Sequence, residues 1–64
     1  MKVLVMGAGV VGVTSDPSPA TVFVDGVVVG ETPLFVDALV VGNHYIRVLR
    51  PGYGVWAREV LVHA

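Results

Sequence analysis

Glycine or proline interrupts this chain every few residues, which restricts it to short elements of secondary structure. The interruptions are Gly7, Gly9, Gly12, Pro17, Pro19, Gly26, Gly30, Pro33, Gly42, Pro51, Gly52 and Gly54. Valine fills much of the space between them, at 17 of 64 residues, and β-branched side chains pack well on a pleated sheet. No long window carries apolar residues at helical spacing without an interruption. The sequence therefore predicts an all-β fold, a small antiparallel β-sandwich or barrel-like domain of six to seven short strands with no substantial helix.

Seven apolar runs are the predicted strands. They cover residues 2–6, 10–15, 20–25, 27–29, 34–37, 44–50 and 55–62. In the third run Val22 and Val24 share one face of the strand, and Thr21 and Phe23 share the other. Asp25-Gly26 follows directly and predicts a tight hairpin, because both residues tolerate the positive φ that such a turn requires.

The chain is short and unusually apolar for its length. Sixty-four residues allow one small domain, which buries only about 60% of its unfolded surface, and no cysteine is present to add a disulfide. Hydrophobic residues make up 55% and charged residues 14%, against about 25% charged in typical soluble domains. Some of this apolar surface is therefore expected to meet a partner, which makes the chain a predicted oligomer or assembly subunit.

Charge and hydrophobicity argue against two classes of partner. The net charge is −1 and only four residues are basic, too few for a surface that follows phosphates, so no nucleic acid is expected. The longest uncharged stretch covers residues 3–15, whereas a membrane-spanning helix needs about 20 apolar residues, so no transmembrane segment is expected. Lys2 and the run after it resemble a signal peptide, but no A-x-A cleavage motif follows, and we expect the segment to stay in the protein.

The beginning of the chain contains a glycine motif typical of dinucleotide-binding folds. Gly7, Gly9 and Gly12 follow an apolar run as G-x-G-x-x-G. In those folds the third glycine opens a helix whose N-terminal amides bind the pyrophosphate. Here Pro17 and Pro19 follow closely, and they are incompatible with that helix. We predict a turn or bulge between two strands at residues 7–9, and no dinucleotide or other cofactor.

Residues with catalytic or metal-binding chemistry are few and scattered. His44 and His63 are 19 positions apart and lack the spacing of a zinc site. Ser15 and Ser18 lie in a proline-rich turn without the surroundings of a nucleophile. We expect the carboxylates in turns or in solvent; they are Asp16, Asp25, Glu31, Asp37 and Glu59. The sequence therefore predicts no catalytic residue, no metal site and no enzymatic activity.

Five short motifs occur in order along most of the chain. They are a proline-bearing turn at 13–17, A-x-V-x-V-D-G at 20–26, G-x-T-P at 30–33, a pattern of leucine, glycine and an aromatic residue at 39–45, and P-G-Y at 51–53. In this order they resemble the PEGA domain family, over roughly residues 11–62. The expected turn residues are Asp25, Gly26, Gly30, Thr32, Pro33, Gly42, Pro51, Gly52 and Tyr53. Val40-Val41 departs from the proline or alanine usual in the family at that point.

The resemblance implies a β-sandwich-like fold and a non-catalytic role, as a module of envelope or surface proteins that needs no cofactor. Residues 11–64 would form the PEGA-like domain, and residues 1–10 an N-terminal β extension outside it. Residues 2–6 are apolar on both faces, so this run is expected to pair with a strand of its own sheet or of another subunit. Removing residues 1–9 should then abolish self-association or destabilise the fold.

Composition and resemblance together predict a subunit that works through protein–protein contacts. Its partner would be another copy or a larger assembly in a virion or cell envelope, and a virion or cell-surface location is favoured over the cytoplasm. The candidate interaction residues are Val3, Val5, Tyr45, Arg47, Trp56 and Arg58. Two alternatives stay open. One is a regulatory adaptor, and the other is a carbohydrate- or cell-wall-binding module whose sugar ligand stacks on Phe23, Tyr45, Tyr53 and Trp56.

Overall fold

Seven β-strands make up most of the described chain. The computed structural model describes residues 1–8, 10–37 and 39–62, and these residues contain no helix. The strands are β1 (Lys2–Ala8), β2 (Val10–Asp16), β3 (Thr21–Val24), β4 (Val27–Glu31), β5 (Leu34–Val36), β6 (Gly42–Leu49) and β7 (Trp56–Val62). The predicted all-β fold class is confirmed, and no strand end differs from its predicted place by more than two residues.

The strands form two antiparallel sheets. Sheet A has three strands in the order β1-β2-β5, and sheet B has four in the order β4-β3-β6-β7. The edges of the two sheets approach each other, because β1 comes near β7 and β5 comes near β4. The N-terminal run pairs within its own chain: Lys2 lies opposite Asp16 and the pairing continues to Val10. The sheet partner of this run, which the sequence left open, is therefore β2.

The core lies between the two sheets. Its members are small and β-branched for the most part, and each is at most 6% exposed: Val11, Val13, Ala20, Val22, Val24, Ile46, Val48 and Val62. Sheet A contributes the inward valines of β2, and sheet B contributes every second residue of β3 and β6. On β3 the face that carries Val22 and Val24 is the buried one.

Backbone conformation explains the two hairpin connections that the sequence marked most clearly. Asp25 and Gly26 have φ values of 52° and 85°, which is the two-residue turn that the twist of a hairpin favours. At the other end of sheet B, the N–H of Tyr53 donates to the carbonyl of Arg50 over 3.0 Å. Gly52, with a φ of 84°, occupies the position of that turn where a side chain would be strained.

The glycine motif near the N-terminus lies in the β1–β2 hairpin. Gly12 is in the middle of β2, where a dinucleotide-binding fold would have the start of a helix. Gly7, the second-last residue of β1, has a φ of 126°, and a Cβ there would clash with the carbonyl oxygen of Val10. Only glycine fits this close approach of the two strands. Gly9 lies outside the described residues.

Candidate interaction surface

The outer face of sheet A is apolar, and we call it the apolar face. Its residues alternate with the core residues along β1, β2 and β5, and they are Leu4, Met6, Val10, Gly12, Thr14 and Phe35. Across the middle of the sheet Met6 lies opposite Gly12, which in turn lies opposite Phe35. Because Gly12 has no side chain, this row has a gap between two large side chains. The face therefore carries a shallow depression of about 430 Å³.

Most of the side chains on the apolar face are open to solvent. Phe35 is 80% exposed, Met6 62%, Leu4 55% and Val10 50%. Together they expose roughly 450 Å² of apolar surface, which is within the range of the largest such patches on monomeric proteins and often marks a functional surface. The Phe35 ring leans toward the gap, since a Cβ on Gly12 would lie 3.3 Å from the ring.

Charged residues lie only at the ends of the apolar face. Lys2 and Asp16 are cross-strand neighbours at one end, and Asp37 follows β5 at the other. An opposite pair of this kind leaves little net field over the centre of the face. The centre is therefore suited to an apolar partner rather than to an ionic one.

The outer face of sheet B is of a different character. Phe23, Arg47 and Ala57 lie side by side across β3, β6 and β7, and the guanidinium carbon of Arg47 is 5.0 Å from the centroid of the Phe23 ring. In the next row Tyr45 lies opposite Glu59. Two charged residues, Arg47 and Glu59, thus lie in the middle of this face, among aromatic and aliphatic side chains.

The residues predicted as an interaction surface do not lie together. Val3 and Val5 pack against the core, so the exposed side of β1 carries their neighbours, Leu4 and Met6. Trp56 and Arg58 lie opposite the buried residues of β6, on the side of sheet B that faces sheet A, and Arg58 stacks on the Trp56 ring at 5.8 Å. Tyr45 and Arg47 are on the opposite side.

The predicted aromatic platform is divided in the same way. Trp56 is on the inner side of sheet B, whereas Phe23 and Tyr45 are on its outer side. Tyr53 lies in the β6–β7 turn, where the guanidinium of Arg50 is 6.0 Å from its ring centroid. Three of these four rings thus already have a guanidinium near them, and no flat surface unites them.

Thr32 links the two connections that run from one sheet to the other, β2–β3 and β4–β5. It is 2% exposed and lies between Gly30, in β4, and the exposed Pro33, before β5. Its hydroxyl oxygen accepts the N–H of Ala20 over 2.9 Å, and its own N–H donates to the Ala20 carbonyl over 2.8 Å. The hydroxyl also bonds to Ser15, at the end of β2.

Each of the two hydroxyl groups has a single proton to donate, and this determines the direction of these hydrogen bonds. The Ser15 hydroxyl donates to the carbonyl of Pro17 over 3.0 Å, so its bond with Thr32 must be one that it accepts. Thr32 therefore accepts from Ala20 and donates to Ser15. The sequence marked Thr32 as a turn residue, and its turn motif contained no signal of this buried hydroxyl network.

Asp25 and His44 form a second polar cluster, at the β3–β4 turn. One Asp25 oxygen accepts the N–H of Tyr45 over 2.9 Å, and the other lies 2.6 Å from Nδ1 of His44. Nε2 of His44 is 2.6 Å from the carbonyl of Val40. A carbonyl and an ionised carboxylate only accept, so both contacts are hydrogen bonds only when the imidazole is protonated and both ring nitrogens donate. The cluster ties the chain just before Gly42, the first residue of β6, to the turn.

These contacts shift both pKa values in the direction that favours the charged forms. The hydrogen bond to Asp25, followed by the one to the Val40 carbonyl, raises the pKa of His44 above its ordinary 6.5. The backbone N–H of Tyr45, followed by His44, lowers the pKa of Asp25 below its ordinary 3.8. Between the lowered pKa of Asp25 and the raised pKa of His44, both groups are charged and the ion pair is formed.

Stability is expected to fall as the pH rises through the folded-state pKa of His44. Because that pKa is raised, its contribution is complete below about pH 6.5 and is lost above the shifted value. The contribution of Asp25, whose pKa is lowered, is lost only as the pH falls below about 3.8. Urea unfolding at about pH 5.5 and about pH 8.5 measures the change, with His44→Gln as the control for other titrating groups. A wild-type advantage over this variant that is equal at both pH values would contradict the prediction.

The described residues assemble no metal-binding chemistry. Residues 1–8, 10–37 and 39–62 contain no group of three His, Asp or Glu side chains able to hold a metal ion. His63, the second histidine of the sequence analysis, lies outside these ranges. Within the same ranges, no helix has the length and apolar character needed to cross a membrane.

Comparison with known proteins gives one family. The model of the PEGA domain matches residues 8–64, which includes the whole chain except β1 up to Gly7. Curated proteins and solved structures give no significant match. The suspected PEGA resemblance is confirmed.

Proposed function

Because this chain belongs to the PEGA domain family, we propose that it works as a non-catalytic interaction module, assembled through protein–protein contacts in a larger surface structure such as a virion or a cell envelope. The observation that carries the proposal is the apolar face of sheet A. Its central side chains are 50–80% exposed, and none of them is charged, whereas Arg47 and Glu59 lie in the middle of the outer face of sheet B.

Burial of the apolar face would provide a substantial driving force for association. Removing roughly 450 Å² of apolar surface from water is worth on the order of 10 kcal/mol before the entropy of association is subtracted. A sheet that is apolar on both sides is usually covered on both sides. The core covers the inner side of sheet A, and a partner protein would cover the outer side.

The N-terminal strand is central to this proposal. We propose that residues 1–10 are a β extension added to the family module of residues 11–64. The extension supplies Leu4 and Met6, which are two of the four exposed apolar side chains of the face. It also shields the core through Val3 and Val5. One strand would thus serve both the stability of the domain and its contact with a partner.

A non-enzymatic role is supported by the use that the chain makes of its polar residues. Asp25, His44 and Thr32 are engaged in structural hydrogen bonds at turns and crossings. The depression on the apolar face is lined by side chains without acid–base or nucleophilic chemistry other than the Thr14 hydroxyl. A carbohydrate-binding role has less support, because the aromatic rings are divided between two sides of sheet B. Tyr45 and Arg47 remain available there for a second, smaller contact.

Photo-cross-linking in the cells or particles that contain the protein tests the proposal. A photoreactive benzoylphenylalanine replaces Phe35 in one full-length variant and Leu61, which is 52% exposed on sheet B, in the control. We expect adducts with envelope or particle proteins, the chain itself included, at several-fold higher yield from position 35. Equal yields, or no protein adducts together with a change in Trp56 fluorescence on addition of glycans, would contradict it.

A further inference from the structure

We propose that the outer edge of β1 binds an extended segment of a different protein, which pairs with β1 as a fourth strand of sheet A and directs a carboxylate toward Arg58. The inference rests on the proposed role in protein–protein contacts but not on the apolar face, and it names a second contact site and the form of the partner there. Three observations carry it: the unprotected edge of β1, the uncovered inner side of β7 and the charge of Arg58.

β1 is the least protected of the four strands at the edges of the two sheets. β5 has only three residues, β4 is interrupted by a shift in its register with β3, and β7 carries Arg58 and Glu59 on its two sides. Short length, bulges and charges of this kind discourage pairing with another chain. β1 has seven residues in unbroken register with β2, and its only charged residue is Lys2. Its outer edge can therefore accept another strand.

The inner side of β7 is less well covered than the inner side of β6. Ile46 and Val48 of β6 are 0% exposed, but their neighbours across the ladder on β7 are the exposed Arg58 and the half-buried Trp56. Sheet A has three strands against the four of sheet B, and β1 approaches β7 without pairing with it. A strand added beside β1 would lie over β7 and cover Trp56, which completes a sandwich with equal sheets.

Arg58 determines the charge of the incoming strand. Its guanidinium carbon is 5.8 Å from the centroid of the Trp56 ring, and within residues 1–8, 10–37 and 39–62 it forms no ion pair. An added strand would remove part of this guanidinium from water, which is costly unless a carboxylate pairs with it. We therefore expect the inner side of the segment to be apolar except for one aspartate or glutamate.

The side chains of β1 define the rest of the segment. Val3 and Val5 pack against the core on one side of β1, and Leu4 and Met6 are exposed on the other. Neighbours of these residues on the incoming strand would be apolar or β-branched, because cross-strand pairs of that kind stabilise a sheet. The main chain supplies affinity through the hydrogen bonds of the ladder, as in other complexes that form by strand addition.

A second copy of the chain does not supply such a segment. The strand of another copy that is open to pairing is its own β1, and the only charged residue of that strand is Lys2. Two copies joined through β1 would bring a second cation to this edge and leave Arg58 without a carboxylate. The charges therefore favour a different protein as the partner.

Titration of the isotope-labelled full chain with synthetic strands tests the pairing. The probe is a peptide of about nine residues, long enough to span β1, in which threonine and valine alternate and one valine is replaced by aspartate. We expect shifts of the β1 amide signals in NMR spectra and slower hydrogen exchange of the N–H groups at its outer edge. A peptide methylated at its central backbone nitrogens cannot donate to β1 and should produce neither effect. Peptide at up to about 2 mM reveals dissociation constants as weak as about 1 mM.

Charge variants test the part assigned to Arg58. The aspartate peptide should bind about threefold more tightly than the same peptide with asparagine, which is typical of partly exposed ion pairs. Arg58→Gln should abolish this preference, and Arg58→Glu should favour a peptide with lysine at that position. Leu61→Glu changes the net charge by the same amount as Arg58→Gln, but on the outer side of β7, so it should retain the preference. Thermal melting verifies that each variant is folded.

The outcomes separate this inference from the proposed function. Absence of β1 shifts with every peptide, or equal binding of the methylated peptide, overturns the strand addition, and an aspartate preference that Arg58→Gln leaves intact overturns the carboxylate. Association of the purified chain with itself, with slowed exchange along β1, overturns the choice of a different protein. Protein adducts from Phe35 without peptide binding overturn this inference alone. Peptide binding without such adducts overturns the apolar face as the basis of the proposed function and leaves the edge of β1 as the contact.

Discussion

Replacement of Thr32 by valine is expected to lower the free energy of unfolding by about 2–3 kcal/mol, which is the cost of leaving buried hydrogen-bonding groups without partners. Valine keeps the shape of the side chain but cannot accept the N–H of Ala20 or donate to Ser15. Ala20 is 2% exposed, so water cannot easily replace the lost acceptor. A domain of this size has about 3–10 kcal/mol of stability in total, and the loss is therefore a large fraction of it.

The controls for this prediction isolate the hydroxyl from the methyl group. Thr32→Ser keeps the hydroxyl, so it should lose only about 1 kcal/mol for the missing methyl group. Urea unfolding gives the free energies, and the melting temperature of Thr32→Val should drop by roughly 10–20 °C. A Thr32→Val variant as stable as the wild type, or less destabilised than Thr32→Ser, would show that the hydroxyl network does not hold the two crossings together.

The strands could be predicted because their signals are local. Glycine and proline break the chain at the turns, and β-branched residues fill the intervals, so each strand end was found within two residues. The turn at Asp25-Gly26 has the same basis, since positive φ at two consecutive positions strongly restricts which residues can occupy them. Likewise, the proline pair after β2 was enough to exclude a nucleotide-binding helix.

The division of the strands into two sheets could not be predicted in the same way. β5 pairs with β2, more than twenty residues earlier in the chain, although β4 is its immediate neighbour in sequence. Three residues of β5 contain no signal that selects one partner strand. The pairing coincides with the buried hydrogen bond between Thr32 and Ser15 and with the packing of the core, which exist only in the folded chain.

When a strand is apolar on both faces, as β1 is, its sequence does not indicate which face is buried. Val3 and Val5 were predicted to be available to a partner, yet Leu4 and Met6 are the exposed pair on β1. Only the register with β2, in which Met6 lies opposite Gly12 and Val5 opposite Val13, decides which side faces the core. A one-residue slip would exchange the two sets.

Replacement of Ile46 by alanine is expected to have the largest effect of any single truncation in the core. Ile46 is 0% exposed and lies on β6 between Val24 of β3 and Arg58 of β7. Removing three carbons there costs about 2–5 kcal/mol, because the surrounding strands cannot close the cavity completely. Against about 3–10 kcal/mol of total stability, this is a large fraction, and the variant should unfold at a much lower urea concentration than the wild type.

Two control variants distinguish burial at this position from loss of strand propensity or of apolar character in general. Ile46→Val removes one carbon and should cost only about 0.5–1.5 kcal/mol. Leu61→Ala truncates a side chain that is 52% exposed on the other side of sheet B, and it should change stability by no more than about 0.5 kcal/mol. Circular dichroism during urea unfolding measures all three. Equal losses for Ile46→Ala and Leu61→Ala would mean that the region between the sheets is not the main source of stability. In that case the outer face of sheet B around Leu61 would have to be buried as well, by association, in the protein as measured.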